Sequence, residues 1–123
     1  MDSIKVFLVD DEKAFVEILA QRLAMRKYVV EVAYNGAEAI ERLKSYTPHV
    51  IVLDMKMPGM DGLDVFKWIK QHHPAIPVII LTGYSSEKEE KEARKLGVFD
   101  FLRKPPEIDV LIKTLKNACK PAQ

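Results

Sequence analysis

Val50-Ile51-Val52-Leu53-Asp54 is the stretch whose reading decides the fold. Four apolar residues in succession, three of them β-branched, leave no polar face for solvent. Such a run suits a strand buried on both sides, as in a parallel sheet covered by helices on each face. It ends abruptly on a carboxylate. Thr47-Pro48 punctuates its start, and Met57-Pro58-Gly59-Met60-Asp61-Gly62 supplies turn chemistry after it. Asp54 is therefore expected where a central strand meets its C-terminal loop, the position at which open α/β sheets bind ligands.

Working outward toward the N-terminus, Ile4 to Val9 is a second apolar run, closed by Asp10-Asp11-Glu12. Phe15, Ile18, Leu19 and Leu23 follow at helical spacing and predict one buried stripe. Of the two aspartates, Asp11 is the stronger candidate to cap this helix. Tyr28 to Val32 alternates more and predicts a strand nearer the sheet edge. Asn35-Gly36-Ala37-Glu38 has the pattern of a capping box with Asn in the cap position. The helix it opens is expected to bury Ala39, Ile40 and Leu43 and to close before Pro48.

Toward the C-terminus, Val65, Phe66 and Ile69 mark a helix that runs down to His72-His73-Pro74. Pro77-Val78-Ile79-Ile80-Leu81 is the next buried strand, and it ends on Thr82-Gly83. Ser86 to Leu96 is helical but offers only Ala93 and Leu96 as core contacts, so this helix is expected to be weakly anchored. Val98 to Leu102 predicts a short strand, followed by Arg103-Lys104-Pro105-Pro106. Ile108, Leu111, Ile112 and Leu115 space a final helix. Strand and helix thus alternate five times, and right-handed crossovers make this an α/β, doubly wound parallel sheet with helices on both faces.

Composition narrows the function classes. The 123 residues suffice for one domain with a sizeable core, expected over residues 1–119 with 120–123 as tail or linker. A formal charge of +1 implies no broad basic face for nucleic acid. No apolar run approaches the roughly 18 residues of a membrane span. The single cysteine, Cys119, has no partner within the chain, which favours a reducing, cytoplasmic setting.

Parallel strands share one C-terminal edge, so Asp10, Asp11, Asp54, Thr82 and Lys104 are expected on a common rim. Gathered carboxylates raise one another's pKa, and a hard cation such as Mg²⁺ is the natural compensation for an all-oxygen set. Such a site suits a phosphoryl group. Asp54 can act as the nucleophile. Asp10 and Asp11 would hold the ion, Lys104 would neutralise one phosphoryl oxygen and Thr82 would donate a hydrogen bond to another. The backbone carbonyl of Lys56 is a further candidate ligand if the turn after Asp54 bends back.

Asp10-Asp11, Asp54 with Met57-Pro58-Gly59-Met60-Asp61-Gly62, Thr82 and Lys104-Pro105 together resemble the receiver domain of bacterial two-component response regulators. The resemblance covers about residues 4–118. It implies a five-stranded parallel sheet of order 2-1-3-4-5 flanked by five helices, phosphorylated on Asp54 by a sensor histidine kinase or a histidine phosphotransfer protein. It also implies Mg²⁺ held by Asp11, Asp54 and the Lys56 carbonyl with Asp10 assisting, and a cis peptide before Pro105. Thr82 and Phe101 match the family's switch pair; Phe99 shares Phe101's strand parity, and the offset from Lys104 selects Phe101. Residues 86–118 are the expected surface for an output domain, an effector or a phosphorylation-dependent homodimer. Pro106 stands where many members have another apolar residue, and Lys56 and Tyr84 occupy positions that border the path of attacking water in the family.

Other classes compete with this switch. A dedicated phosphatase with an aspartyl-phosphate intermediate commonly has a second carboxylate two residues after the nucleophile, where this chain has Lys56. A nucleotide or flavin module would call for a glycine-rich phosphate loop, and none follows any strand. A receiver-like scaffold that takes no phosphate is the remaining alternative. His49, His72 and His73 lack metal-site company and are expected at the surface, and Tyr46 and Trp68 are expected to pack.

Overall fold

The structure, a computed structural model, describes residues 3–83 and 85–120. The expected residues Tyr84 and 121–123 lie outside the described residues. Five strands alternate with five helices: β1 Lys5–Val9, α1 Lys13–Met25, β2 Val29–Ala33, α2 Gly36–Leu43, β3 Val50–Leu53, α3 Gly62–His72, β4 Val78–Thr82, α4 Glu87–Leu96, β5 Asp100–Arg103 and α5 Ile108–Ala118. All pairings are parallel, and the strand order is β2-β1-β3-β4-β5. The run that ends at Asp54 is therefore the central strand, and every one of its four residues is buried.

Strand alternation sorts the core into two layers. Phe7, Val9, Ile51, Leu53, Val78, Ile80 and Phe101 pack with Ala39 and Leu43 of α2, Val65, Phe66 and Ile69 of α3, and Ala93 of α4. Val6, Leu8, Val50, Val52, Ile79 and Leu81 pack with Val16, Leu19 and Leu23 of α1 and Leu111 and Leu115 of α5. Register aligns Val9, Leu53, Ile80 and Phe101 in one row across four strands. That row lies directly beneath the rim carrying Asp10 and Asp54.

The helix caps show where local reading holds and where packing overrides it. Asn35 caps α2 by accepting from the Glu38 amide at 2.8 Å, but the Glu38 carboxylate accepts from Tyr34 N, one residue before the cap. Asp11 does not cap α1. Its cap position is Glu12, without a side-chain cap bond, and it is Asp10 Oδ1 that accepts from Glu12 N at 2.9 Å. The α1 stripe is also turned: Val16, Leu19 and Leu23 are buried, Phe15 is half-buried and Ile18 is 55% exposed. The apolar arc of α1 is wider than the strip the sheet can cover, so periodicity left its centre open. In α2, likewise, Ala39 and Leu43 are buried and Ile40 only half-buried.

Helix α4 matches its expected weak anchoring, with Ala93 buried and Leu96 half-buried. A complete capping box compensates at its start, Ser86 Oγ accepting from Glu89 N at 3.1 Å and Glu89 Oε1 accepting from Ser86 N at 3.0 Å. Gly97 ends it at φ 101°, a left-handed conformation natural to glycine. β5 begins at Asp100, two residues later than expected, and Phe99 hangs beyond its end at 45% exposure.

Candidate functional site

β1, β3, β4 and β5 end on one edge, and the side chains there are buried to an extent unusual for charge. Asp10 and Asp54 are each 4% exposed and Thr82 is fully buried. Backbone pairing holds the first two in place, Asp10 N donating to Ala33 O at 3.1 Å and Asp54 N to Val9 O at 3.0 Å. The Lys104 amide donates to Thr82 O at 3.0 Å, which continues the β4–β5 ladder one residue past the strand. The following Lys104–Pro105 peptide is cis, as the resemblance implied.

Lys104 is the cation of this edge. Its Nζ lies 2.7 Å from Asp10 Oδ2, 2.6 Å from Glu12 Oε1 and 3.5 Å from Asp54 Oδ2, and 4.6 Å from the Phe15 ring centre. Burial disfavours its charge, but the hydrogen bonds to Asp10 and Glu12 and the fields of Asp10 and Asp54 outweigh that and raise its pKa. Burial pushes the Asp10 carboxyl up, against the lowering effect of Lys104 and the Glu12 amide; the nearby Asp54 charge adds to the rise. Water is largely excluded from the pairs with Asp10 and Asp54, so their electrostatics count for more than those of a surface bridge, whereas the Glu12 side chain is 61% exposed.

The loop after β3 closes tightly under the site. Gly62 N donates to Met55 O at 2.9 Å, and a Cβ on Gly62 would come within 2.2 Å of the Asp54 carbonyl oxygen. Only glycine permits that approach. The Lys56 amide donates to Asp54 Oδ1 at 3.3 Å, a local bond of the turn that follows β3. The exposed Lys56 ammonium reaches to Glu89 of α4.

Among the described residues, the acidic groups close enough to share an ion are Asp10, Glu12 and Asp54, with ligand oxygens within 4.8 Å of one another. Glu12 was not among the sequence candidates. As the third acid of Asp10-Asp11-Glu12 it was visible, but nothing local shows that the first turn of α1 carries it toward Lys104. Asp11 is half-buried and lines a neighbouring cleft with Tyr34, Asn35, Pro58 and Gly59. The donor set is all oxygen and fits a hard cation such as Mg²⁺, and the Lys104 ammonium now occupies the positive place in its midst.

Phe101 is 6% exposed, in the row beneath Asp54, whereas Phe99 is not in that row. The Arg103 guanidinium lies 5.7 Å from the Phe101 ring centre. The histidines stay outside the site: His49 Nδ1 accepts from Lys5 N at 2.8 Å, and His73 Nε2 bonds to Leu43 O at 2.9 Å, tying α3 to α2. Trp68 stacks on His72, and Tyr46 packs edge-on against Phe7. No helix among the described residues is long and apolar enough to cross a membrane.

Comparison with known proteins agrees with this geometry. The response regulator receiver domain family matches residues 6–116. The DNA-binding transcriptional regulator NtrC of Escherichia coli (strain K12) is 42% identical over 113 residues, which are 92% of this chain and 24% of that protein. The transcriptional regulatory protein ZraR of the same strain is 38% identical over 117 residues, 95% of this chain and 26% of that protein. The chain thus spans about a quarter of the length of these relatives. In structure, a CheY-like receiver domain protein from Methanospirillum hungatei JF-1 superposes with a TM-score of 0.92 at 23% identity, over 96% of this chain and 94% of that one, a likeness of fold. With its strand order, its buried acidic edge and a family match over most of its length, the chain belongs to the response regulator receiver domains of two-component signalling.

Proposed function

We propose that Asp54 accepts a phosphoryl group from a phosphohistidine, and that the charge gained there switches the surface formed by residues 86–118. The observation that carries this reading is the buried Lys104 ammonium held between the buried Asp10 and Asp54 carboxylates at the sheet edge, with the exposed Glu12 beside them. An Asp54 oxygen attacks phosphorus and forms a new P–O bond. The P–N bond to the donor imidazole breaks, its electron pair returns to the nitrogen, and a neutral histidine and an acyl phosphate result.

The residues divide the remaining work. Lys104 leaves part of its carboxylate company to neutralise a phosphoryl oxygen, and Thr82 donates a hydrogen bond to another. Asp10, Asp11, Asp54 and the Lys56 carbonyl would hold Mg²⁺, with Glu12 keeping Lys104 nearby. When bound, the ion would supply positive charge that offsets the gathered carboxylates and the incoming phosphoryl group. Movement of Thr82 toward the phosphoryl group would open space beneath it, which Phe101 is placed to fill. Attack by water on the phosphorus reverses the state, releasing phosphate and the Asp54 carboxylate.

The donor would be a sensor histidine kinase or a histidine phosphotransfer protein in the cytoplasm. The reader would be an output domain, a separate effector or a second copy at residues 86–118. Intact mass after incubation with Mg²⁺ and acetyl phosphate tests the central step. A gain of about 80 Da that requires Mg²⁺ and is absent in Asp54→Asn is expected, since one phosphoryl unit is added to one carboxylate. No gain from acetyl phosphate or from a phosphohistidine donor would overturn the reading.

A further inference from the structure

We infer that the Lys56–Glu89 ion pair is a latch on the first turn of α4, released when Asp54 carries a phosphoryl group. The inference rests on the phosphoacceptor reading above and names a regulatory link of that same site. Lys56 is two residues past Asp54, and its amide already donates to Asp54 Oδ1 at 3.3 Å. Its side chain nevertheless turns outward to the α4 carboxylate Glu89. The two oxygens of Glu89 are divided between two tasks: Oε2 takes Lys56, and Oε1 closes the capping box on Ser86 N at 3.0 Å. One carboxylate thus ties the loop of the site to the start of the helix.

The adjoining residues carry the tie to β5. Glu90 Oε1 pairs with Arg103 at 3.1 Å, Arg103 Nη1 donates to Ser85 Oγ at 3.2 Å, and the Arg103 guanidinium lies over the buried Phe101 ring. The start of α4 is therefore held from the Asp54 loop on one side and from β5 on the other. Because the body of this helix buries little beyond Ala93, these polar ties set its position to an unusual degree. They are exposed enough to exchange partners: the Lys56 and Glu89 side chains are 45% and 27% exposed.

A phosphoryl group on Asp54 changes the competition for Lys56. It replaces the single charge of the Asp54 carboxylate with the roughly −1.5 to −2 of a phosphoryl group and adds three strong acceptor oxygens, against the single charge of Glu89. The flexible four-carbon stem of lysine allows its ammonium to turn back over the loop. Glu89 then keeps the capping box and loses its cation, so α4 stays helical while its tie to the Asp54 loop is cut. The element biased is the first turn of α4, with two arrangements set by the partner of Lys56.

Amide hydrogen exchange of residues 87–92, read beside intact mass, tests the latch. Glu89→Gln retains the capping acceptor, since glutamine serves in that position, and removes only the charge. In the resting chain, Lys56→Met and Glu89→Gln should each speed exchange about two- to fivefold, the factor that an exposed ion pair supplies, and the double variant should add nothing further. After Mg²⁺ and acetyl phosphate, the wild type should exchange as fast as resting Glu89→Gln, and phosphorylated Glu89→Gln should show no further rise. Additive effects in the resting chain would overturn the pairing. A wild type that gains the phosphoryl mass with exchange unchanged or slowed would overturn the latch and leave the phosphoacceptor standing. Absence of the mass gain with acetyl phosphate and with a phosphohistidine donor alike would overturn the phosphoacceptor, and the release step with it.

Discussion

Lys104 Nζ stands 2.7 Å from Asp10 Oδ2 and 3.5 Å from Asp54 Oδ2, so its ammonium serves the carboxylate after β1 more closely than the one after β3. Glu12 strengthens that bias at 2.6 Å. In this arrangement Asp54 keeps the weakest claim on the local cation, which suits the nucleophilic role proposed for it.

Removing the ammonium leaves two buried carboxylates uncompensated. Lys104→Met is expected to lower stability by about 2–4 kcal/mol in metal-free buffer near neutral pH, and adding Asp54→Asn should recover part of the loss. Urea unfolding midpoints of the single and double variants check this. An unchanged midpoint for Lys104→Met would show that solvent, rather than lysine, compensates the pair.

Asp10 makes stability depend on pH. Burial holds its native pKa above the ordinary aspartate value, so the native state keeps a proton that the unfolded chain releases. The contribution is complete below the unfolded value of about 3.9 and is lost as pH rises through the native one. Asp10→Asn removes that loss. In metal-free buffer the variant should be more stable than wild type near neutral pH and should converge with it in acid. Parallel stability curves would contradict the assignment.

Magnesium should act in the opposite sense to acid, because ion and proton compete for the same oxygens. At an ion concentration about one hundred times Kd, wild type should gain about 2.7 kcal/mol, seen as a raised thermal midpoint. Asp54→Asn and Asp11→Asn should each need roughly tenfold more ion or above for the same gain, by analogy with the loss caused by disturbing a metal-site residue. Glu12→Gln, which acts on Lys104 and not on the ion, should leave the ion requirement near that of wild type. A Glu12→Gln loss as large as that of Asp11→Asn would make Glu12 a ligand.

Gly62→Ala tests the close approach beneath the site. The new Cβ would meet backbone, at 2.2 Å from Asp54 O and 2.6 Å from Met55 Cα, so the strain has no flexible side chain to absorb it. A cost of about 1–3 kcal/mol is expected, together with shifted amide resonances at Asp54 and Lys56. Wild-type stability with an undisturbed spectrum would refute the contact.

Tyr46 offers a stabilising change. Its hydroxyl is buried with no hydrogen-bond partner among the described residues, and burial raises its pKa. Tyr46→Phe keeps the edge-on packing on Phe7, whose ring centre lies 5.5 Å away, and removes the polar atom. A gain of about 1 kcal/mol in denaturant unfolding is expected. A loss of stability would reveal a water partner for the hydroxyl.

The order of strands and helices, the central place of Val50 to Leu53, and the gathering of Asp10, Asp54, Thr82 and Lys104 on one edge were legible without coordinates. Each depends on local pattern: uniform apolar runs for buried strands, helical spacing between them, and polar residues where each run stops. The Asn35 cap was readable for the same reason, because a cap is satisfied within its own turn.

Tertiary structure alone decided the rest, because it concerns rotation and reach. Periodicity shows that α1 has an apolar side but not its centre, and contact with the sheet put Val16 inward and Ile18 outward. Phe99 and Phe101 have the same strand parity, and packing buried Phe101 in the core beside Leu53 and Ile80 while Phe99, though its amide donates to Val78 O, stayed exposed. Glu12 joined the site because the start of α1 faces Lys104, 92 residues away in sequence. Lys56 found Glu89 because a long side chain pairs with whatever charge the folded surface brings within reach. Sequence determined which groups meet at the edge of the sheet; packing decided which of them touch.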